Sequence, residues 1–188
     1  MKDESEPSQI RTNHIYDPQE YMPALNVQQS TEVKYLGLHL DQRLTWNTHI
    51  QAKRRQLDIK FRQLLWFLGR NSKLSLNNKL LLYKVVSKPI WSYGDQLWGC
   101  AKPTRLKIIQ RFQSKFLRNM VNAPRYVNNQ LLHTDLHIPS ITDEIQRIAT
   151  TYNNKTHNHA NHLIEHLYIN GPIDRRLRRT WPEDLIQQ

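Results

Sequence analysis

The stretch that decides the fold reads VKYLGLHLD from Val33 to Asp41. In an extended backbone, Val33 and Tyr35 lie on one side, and the leucines of the stretch lie on the other. Gly37 stands in the middle, where a residue without a side chain allows a bend or a close backbone approach. The pattern predicts a short β-hairpin over residues 31–46.

Helical spacing begins directly after the hairpin. On the first predicted helix, apolar residues recur at about 100° per residue and form one stripe: Ile50, Leu57, Phe61, Leu64, Leu65 and Leu68. Gly69 is a typical stop signal just beyond that stripe. Ser75 is a good N-cap for a second helix, and Pro89 is expected to open a third apolar segment.

The clearest helix is expected to begin at Pro103 or Thr104 and to end by Pro124. Its predicted buried face consists of Leu106, Ile109, Phe112, Phe116, Leu117 and Met120. Ser140 with Asp143 resembles a capping box at the start of a last helix, with Asp in place of the usual Glu or Gln. Together the patterns predict a mainly α fold, in which the hairpin is followed by a helical bundle of about five helices over residues 47–155.

The two ends of the chain carry weaker patterns. Residues 1–30 are polar and contain three prolines, so we expect a disordered arm. Beyond about residue 155 the periodicity fades, and residues 156–188 are predicted to form a basic, weakly ordered tail.

Composition narrows the class of partner. The 188 residues carry a net charge of +11, which suits nucleic acid or an acidic membrane surface. No apolar run approaches the roughly 20 residues of a membrane span, and the polar N-terminus does not resemble a secretory signal. Cys100 is the single cysteine, so it cannot form an internal disulfide. We expect an intracellular protein of the cytoplasm or nucleus, without a membrane partner.

A line of cations runs along the clearest helix. No Asp or Glu occurs between Asp95 and Asp135. Four cations in that interval share a narrow stripe opposite the apolar face: Lys107, Arg111, Lys115 and Arg118. Like charges four residues apart repel each other, and phosphate groups would relieve that repulsion and release counterions. The stripe predicts a nucleic-acid-binding face, and the alternative is a solvated face that only aids solubility.

Other constellations are weaker. A second basic segment on the first helix spreads around the axis: Lys53, Arg54, Arg55, Lys60 and Arg62. Trp91 and Trp98 could stack on bases, but aromatic residues at helical spacing are more often core. Four histidines could suggest a metal site, although polar surface is the better interpretation: His157, His159, His162 and His166. These residues predict no catalytic group, no metal site and no cofactor for this chain.

Several blocks recur in order after the hairpin stretch: GRNSKLSL at 69–76, KLLLYK at 79–84, KPIWSYG at 88–94, QLWG at 96–99, IQRFQSK at 109–115, NAPRYV at 122–127 and HTDL at 133–136. Over roughly residues 30 to 155, the chain closely resembles the region after the palm in jockey-like non-LTR retrotransposon reverse transcriptases. The resemblance implies RNA-templated DNA synthesis in the full-length family, with two Mg²⁺ ions held by palm aspartates. Those aspartates belong to an aromatic-Ala-Asp-Asp motif, which this sequence does not contain.

The resemblance also assigns roles to the elements that are present. It implies that the hairpin around Tyr35 and Gly37 positions the primer end, and that the helices form a thumb that grips the template–primer duplex. Lys107, Arg111, Lys115 and Arg118 fall in the thumb region, and their phosphate contacts are our own inference from the helical stripe.

Three functional interpretations follow. In the first, the chain is a polymerase fragment that holds an RNA/DNA duplex and has no activity of its own, because the palm is missing. In the second, it is part of a complete reverse transcriptase that a gene model has truncated. In the third, it is a domesticated helical module that binds proteins, which could include other proteins of the element, because the loss of the palm uncovers apolar surface.

Overall fold

The computed structural model of the chain describes residues 30–69, 71–157, 161 and 180–186. The predicted arm at 1–30 lies outside these residues except for Ser30, and the predicted tail at 156–188 lies largely outside them. The four histidine side chains considered above as metal ligands also lie outside the described part of the chain.

The predicted β-hairpin is present. Strand β1, Glu32–Tyr35, pairs antiparallel with strand β2, Leu38–Asp41. A two-residue turn joins them, with φ of 46° at Leu36 and 79° at Gly37. Turns with two positive φ values follow the natural twist of paired strands, and glycine adopts such a φ without steric cost.

The rest of the described chain is helical, which confirms the mainly α fold. The helices are α1 (Asn47–Leu68), α2 (Leu76–Leu82), α3 (Lys88–Ser92), α4 (Asp95–Trp98), α5 (Pro103–Met120), α6 (Asn129–Asp135) and α7 (Ile141–His157). A π turn, Tyr83–Ser87, joins α2 to α3, and a short 3₁₀ helix covers Pro182–Leu185.

The predicted third segment is present as helix α3, which follows α2 and the π turn without a loop. The helical path runs without a break from Leu76 to Ser92, and Pro89 lies in the first turn of α3. A proline inside a regular α-helix removes one hydrogen bond and crowds the preceding turn. The wider π turn directly before Pro89 relaxes that crowding, so the helix continues past the proline.

The predicted helix starts are confirmed by their caps. The Ser75 hydroxyl accepts a hydrogen bond from the Asn78 amide at 3.4 Å, and the Ser140 hydroxyl accepts one from the Asp143 amide at 3.2 Å. Each satisfies one of the amides that a helix leaves free in its first turn.

The core lies where α1 packs on α5. The Phe61 ring of α1 meets the Phe112 and Phe116 rings of α5, with centroids 6.0 and 5.6 Å apart. Trp91 and Trp98 are buried in the same core, as the sequence predicts. Leu65 is the exception on the α1 stripe, because its side chain is 39% exposed at the edge of the helix contact.

Candidate nucleic-acid interface

Helix α5 presents its cations because its opposite face is held in the core. The buried residues of α5 include Ile109, Phe112, Phe116, Leu117 and Met120. The helix is unbroken from Pro103 to Met120, and a proline at its first position removes one of the amides that a helix leaves without a partner in its first turn. The stripe on the other side therefore points outward along the whole length of the helix.

The four predicted cations line one open groove. Lys107, Arg111 and Lys115 are exposed, whereas Arg118 is half-buried. The groove has a volume of about 750 Å³, and its lining contains no acidic side chain among the residues that the structure describes. The structure therefore gathers the predicted stripe into a single positively charged surface.

A fifth cation, Arg125, also lines the groove, and the sequence prediction did not include it among the binding residues. Arg125 lies in the loop between α5 and α6 and lines the same groove, as does Asn129 at the start of α6. The acid-free interval includes Arg125, but helical spacing could not place it, because the chain folds back after Met120.

Arg118 has a structural task in addition to its charge. Its guanidinium donates to the carbonyl oxygens of Pro124 and Val127, at 2.5 and 2.8 Å, and to Oδ1 of Asn129 at 2.7 Å. These bonds hold the loop that carries Arg125 against α5. Arg118 thus shapes the wall of the groove, while the described residues give the charged ends of Lys107 and Arg111 no ion pair.

Lys115 lies at the edge of α5 that faces α1. Its Nζ atom stands 4.9 Å from the centroid of the Phe61 ring. The aliphatic stem covers apolar surface while the ammonium group stays at the exposed surface, as is common for lysine.

A second groove adjoins the first on the α6 side, and Asp143 is among the residues that line it. Gln110, Ser114 and Asn129 line both, and the second groove, of about 680 Å³, continues past His133. The Gln110 amide nitrogen contacts Nε2 of His133 at 3.0 Å, and Nδ1 of His133 contacts the Ile138 carbonyl at 2.9 Å. A neutral imidazole that donates through Nδ1 satisfies both contacts. The second groove therefore places polar side chains and one carboxylate, Asp143, beside the cations.

The predicted hairpin residues stand apart from the α5 groove and do not line it. Tyr35 is 61% exposed on β1. The Tyr93 hydroxyl donates to the Leu36 carbonyl at 2.8 Å, and the Tyr93 ring lies against Gly37. This contact holds the tip of the hairpin to the segment between α3 and α4.

Two lysines flank this hairpin contact. The Nζ atom of Lys53 lies 5.1 Å from the centroid of the Tyr93 ring. Burial lowers the pKa of Lys53, and the nearby charge of Lys34 lowers it further. Lys34 and Lys53 therefore lie close to each other beside the hairpin.

Within the described ranges of the chain, no group of three or more His, Cys, Asp or Glu side chains is placed to hold a metal ion. None of the described helices is both long and apolar enough to span a bilayer.

Comparison with curated proteins shows which proteins the chain is similar to. The chain is 39% identical over 169 residues to the probable RNA-directed DNA polymerase from transposon X-element of Drosophila melanogaster. It is 35% identical over 159 residues to the probable RNA-directed DNA polymerase from transposon BS of the same species. It is 33% identical over 165 residues to the RNA-directed DNA polymerase from mobile element jockey of Drosophila funebris. The chain is a relative of these mobile-element polymerases.

The resemblance to jockey-like reverse transcriptases is thereby confirmed. The matches cover 84 to 90% of the chain but only 18% of the length of each polymerase. No family model and no solved structure matches the chain.

Proposed function

We propose that this relative of RNA-directed DNA polymerases is a thumb-like part that holds an RNA/DNA template–primer duplex on the outer face of α5. The observation that carries the proposal is the acid-free groove in which Lys107, Arg111, Lys115 and Arg125 converge. The kinship to polymerases of mobile elements supports nucleic acid as the polyanion.

The spacing of the cations fits a phosphate backbone. Residues four apart on a helix are separated by about 6 Å along the axis, so Lys107, Arg111 and Lys115 form an evenly spaced row. Each contact with a phosphate releases condensed counterions, and this gain does not depend on base sequence. The groove is therefore suited to gripping a duplex of any sequence, which is what a polymerase thumb requires.

A salt titration tests the grip. The double variant Lys107→Gln with Arg111→Gln should bind an RNA/DNA duplex at least about tenfold more weakly than the parent chain at moderate salt, for every duplex sequence tried. The slope of log K against log salt should fall by about two, because each lost phosphate contact removes close to one counterion. Fluorescence anisotropy with a labelled duplex measures both quantities.

A matched control separates the groove from net charge. Lys73 and Lys155 are exposed and lie outside the groove, so Lys73→Gln with Lys155→Gln makes the same change in charge elsewhere. That control should leave the affinity nearly unchanged. If it weakens binding as much as the groove variant, the α5 face has no special role and the proposal is wrong.

We also propose that the chain has no polymerase activity of its own, and that another polypeptide segment supplies the palm. No Asp-Asp pair occurs in its sequence, whereas the resemblance to reverse transcriptases implies that aspartates of an aromatic-Ala-Asp-Asp motif hold the two catalytic metal ions. Primer extension on an RNA template with Mg²⁺ and nucleotides should yield no product with the isolated chain. Extension that persists through purification would contradict this part of the proposal.

One observation favours a second candidate, a protein-interaction module. Leu81 and Val85 lie four residues apart on the outer side of the α2–α3 path, and they are 57% and 63% exposed. Side chains of this kind form interfaces when they are covered by a partner. Sedimentation at high salt without nucleic acid tests this candidate: association that Leu81→Gln abolishes supports it, and a monomer at all concentrations contradicts it.

A further inference from the structure

Helix α1 carries an exposed stripe that the proposed duplex grip does not use. Arg55, Ile59, Arg62 and Trp66 are spaced at i, i+4, i+7 and i+11, so they lie on one side of the helix. All four are exposed, and Trp66 and Ile59 are exposed by 71% and 54%. An indole this open, on a helix whose opposite face is packed in the core, is a candidate contact for a partner.

Three contacts show that α1 and α5 run side by side in the same direction. Arg105, early in α5, donates to Asn47 at the start of α1. Farther along, the Arg54 guanidinium lies 5.1 Å from the centroid of the Phe112 ring. Farther still, Lys115 lies over Phe61. The contacts advance in the same order along both helices, so the pair is parallel.

The parallel arrangement places both basic stripes on the same side of the helix pair. On α1, Arg54 marks the edge towards α5, and Arg55 and Arg62 lie beyond that edge, away from the core. On α5, Lys115 marks the edge towards α1, and Arg111 lies beyond it in the same sense. The α1 stripe therefore continues the surface on which the duplex grip was proposed.

The charge of the α1 stripe selects the class of partner. The described residues give neither Arg55 nor Arg62 an ion pair, and the nearest carboxylate on the helix, Asp58, is paired with Arg54 at 3.0 Å. The stripe itself contains no acidic residue. Two unpaired guanidinium groups beside an open indole fit a polyanion with aromatic bases better than an uncharged apolar surface.

The geometry at Trp66 fits an unpaired base. The Phe67 ring lies 3.6 Å from the indole, centroid to centroid, at an interplanar angle of 30°. Phe67 supports the indole in this position, and the large exposed area of Trp66 leaves room for a second ring. Within a duplex the faces of the bases are covered by their neighbours, so only a single-stranded segment or a duplex end presents a free face.

We propose that Trp66 stacks on an unpaired base of the single strand that continues from the duplex, while Arg55 and Arg62 contact its phosphates. This proposal deepens the proposed function and rests on it for the position of the duplex. The strand would leave the α5 groove, cross to α1 and be held there without regard to sequence, because every base has a face that can stack.

Three nucleic acids separate the two proposals: a blunt RNA/DNA duplex, the same duplex with a six-nucleotide RNA tail, and the tail alone. Trp66→Ala should weaken binding of the tailed duplex by about 5- to 100-fold, the range expected for the loss of one stacked base. Binding of the blunt duplex should stay unchanged. Trp66→Phe should restore most of the lost affinity, because a phenyl ring still stacks.

Tyr152→Ala is the matched control, because Tyr152 is 55% exposed on α7 and lies on neither stripe. It should bind all three nucleic acids as the parent does. The stacking proposal is wrong if the Trp66→Ala variant still prefers the tailed duplex over the blunt duplex as strongly as the parent does. It is also wrong if the substitution weakens binding of the blunt and tailed duplexes equally.

Failure of the duplex grip is recognised separately. If Lys107→Gln with Arg111→Gln leaves binding of the blunt duplex unchanged, the grip on α5 is wrong. Binding of the tail alone then still decides the role of Trp66: a loss with Trp66→Ala supports stacking, and no loss contradicts it. Self-association at high salt that Trp66→Ala removes would assign the stripe to a protein contact and overturn the proposal.

Discussion

At the scale of single residues, two glycines hold the hairpin in place for different reasons. Gly37 has a φ of +79°, and a Cβ atom there would lie 3.4 Å from Cε1 of Tyr93, an ordinary contact distance. Gly94 has a φ of +69°, and a Cβ atom there would lie 2.8 Å from Cδ2 of Leu38. Backbone conformation restricts both positions, but only Gly94 is also restricted by packing against the hairpin.

We expect Gly94→Ala to lower the free energy of unfolding more than Gly37→Ala does. Alanine at a positive φ costs about 1 kcal/mol at either site, and the clash with Leu38 adds about 1–3 kcal/mol at Gly94. Urea unfolding of the two variants measures the difference. Equal losses would show that the segment between α3 and α4 does not pack tightly on β2.

Asp95 is a buried carboxylic acid without a good hydrogen bond. The residue is 0% exposed, and neither carboxylate oxygen accepts a hydrogen bond of good geometry from the described residues, although the backbone amides of Gln96 and Asp95 lie nearby. Burial raises the pKa of Asp95 from 3.8 to about 7, and the nearby charge of Glu144 adds to the rise. The backbone amides of Gln96 and Asp95 and the charge of Lys88 offset part of it.

The raised pKa of Asp95 predicts that the contribution of this residue to stability is lost as pH rises from about 4 to about 7. The folded state binds the proton more tightly than the unfolded state, so this contribution is complete below the unfolded pKa and is lost as pH passes the folded pKa. Asp95→Asn should unfold at a similar urea concentration at pH 4, and should be more stable than the parent at pH 8, by a gain on the order of a few kcal/mol. If the difference in stability between Asp95→Asn and the parent is the same at pH 4 and at pH 8, the pKa of Asp95 is not raised.

At the scale of elements, the end of α1 depends on a residue of α2. Lys79 is 8% exposed, and its ammonium group donates to the carbonyl oxygens of Leu68 and Gly69, at 3.2 and 3.3 Å. The last carbonyls of a helix have no partner within the helix and carry partial negative charge. A lysine from the next helix therefore caps α1 and fixes the direction in which the chain turns.

We expect Lys79→Met to lower the free energy of unfolding by about 1–3 kcal/mol, because it leaves buried carbonyl groups without a donor. The loss should be local as well as global, so amide hydrogen exchange should speed up most in the last turn of α1. Lys73→Met is the control, because Lys73 is exposed and its replacement should change the stability little. Unchanged exchange at the end of α1 would show that Lys79 does not cap it.

At the scale of the whole molecule, the hairpin and the helices belong to one compact unit. Its centre is the parallel pair of α1 and α5, because their facing sides bury the phenylalanine cluster and their outer sides carry the cations. Two aromatic side chains of α1 therefore have different roles. Phe61 is 3% exposed and belongs to the core, whereas Trp66 is exposed to solvent.

We expect Phe61→Ala to lower the free energy of unfolding by about 3–5 kcal/mol, the usual cost of a large cavity in an aromatic core. Trp66→Ala should change it by no more than about 0.5 kcal/mol, because the indole is not packed in the core. Urea unfolding measures both changes in the free energy of unfolding, with the same dependence on urea concentration used for the parent and the variants. A large loss with Trp66→Ala would mean that this indole stabilises the fold and is not held for a ligand.

The sequence alone determined the features that depend on spacing along the chain. The alternation around Gly37 predicts the hairpin, and the helical period of α5 predicts which side of the helix is buried and which carries Lys107 and Arg111. These features follow from local backbone geometry, since the periods of strands and helices decide which side chains share a face. Local spacing did not reveal the π turn that joins α2 to α3 without a loop before Pro89.

Only the tertiary structure decided how the faces are combined. In the tertiary structure, the loop after α5 folds back. Arg125 of this loop therefore lines the groove, and the side chain of Arg118 holds the loop in place. The tertiary structure also laid α1 parallel to α5, which brings the scattered arginines of α1 beside the cation stripe. The physical reason is that helical period specifies a direction around one axis, whereas the neighbour in that direction depends on how buried surfaces of distant segments pack together.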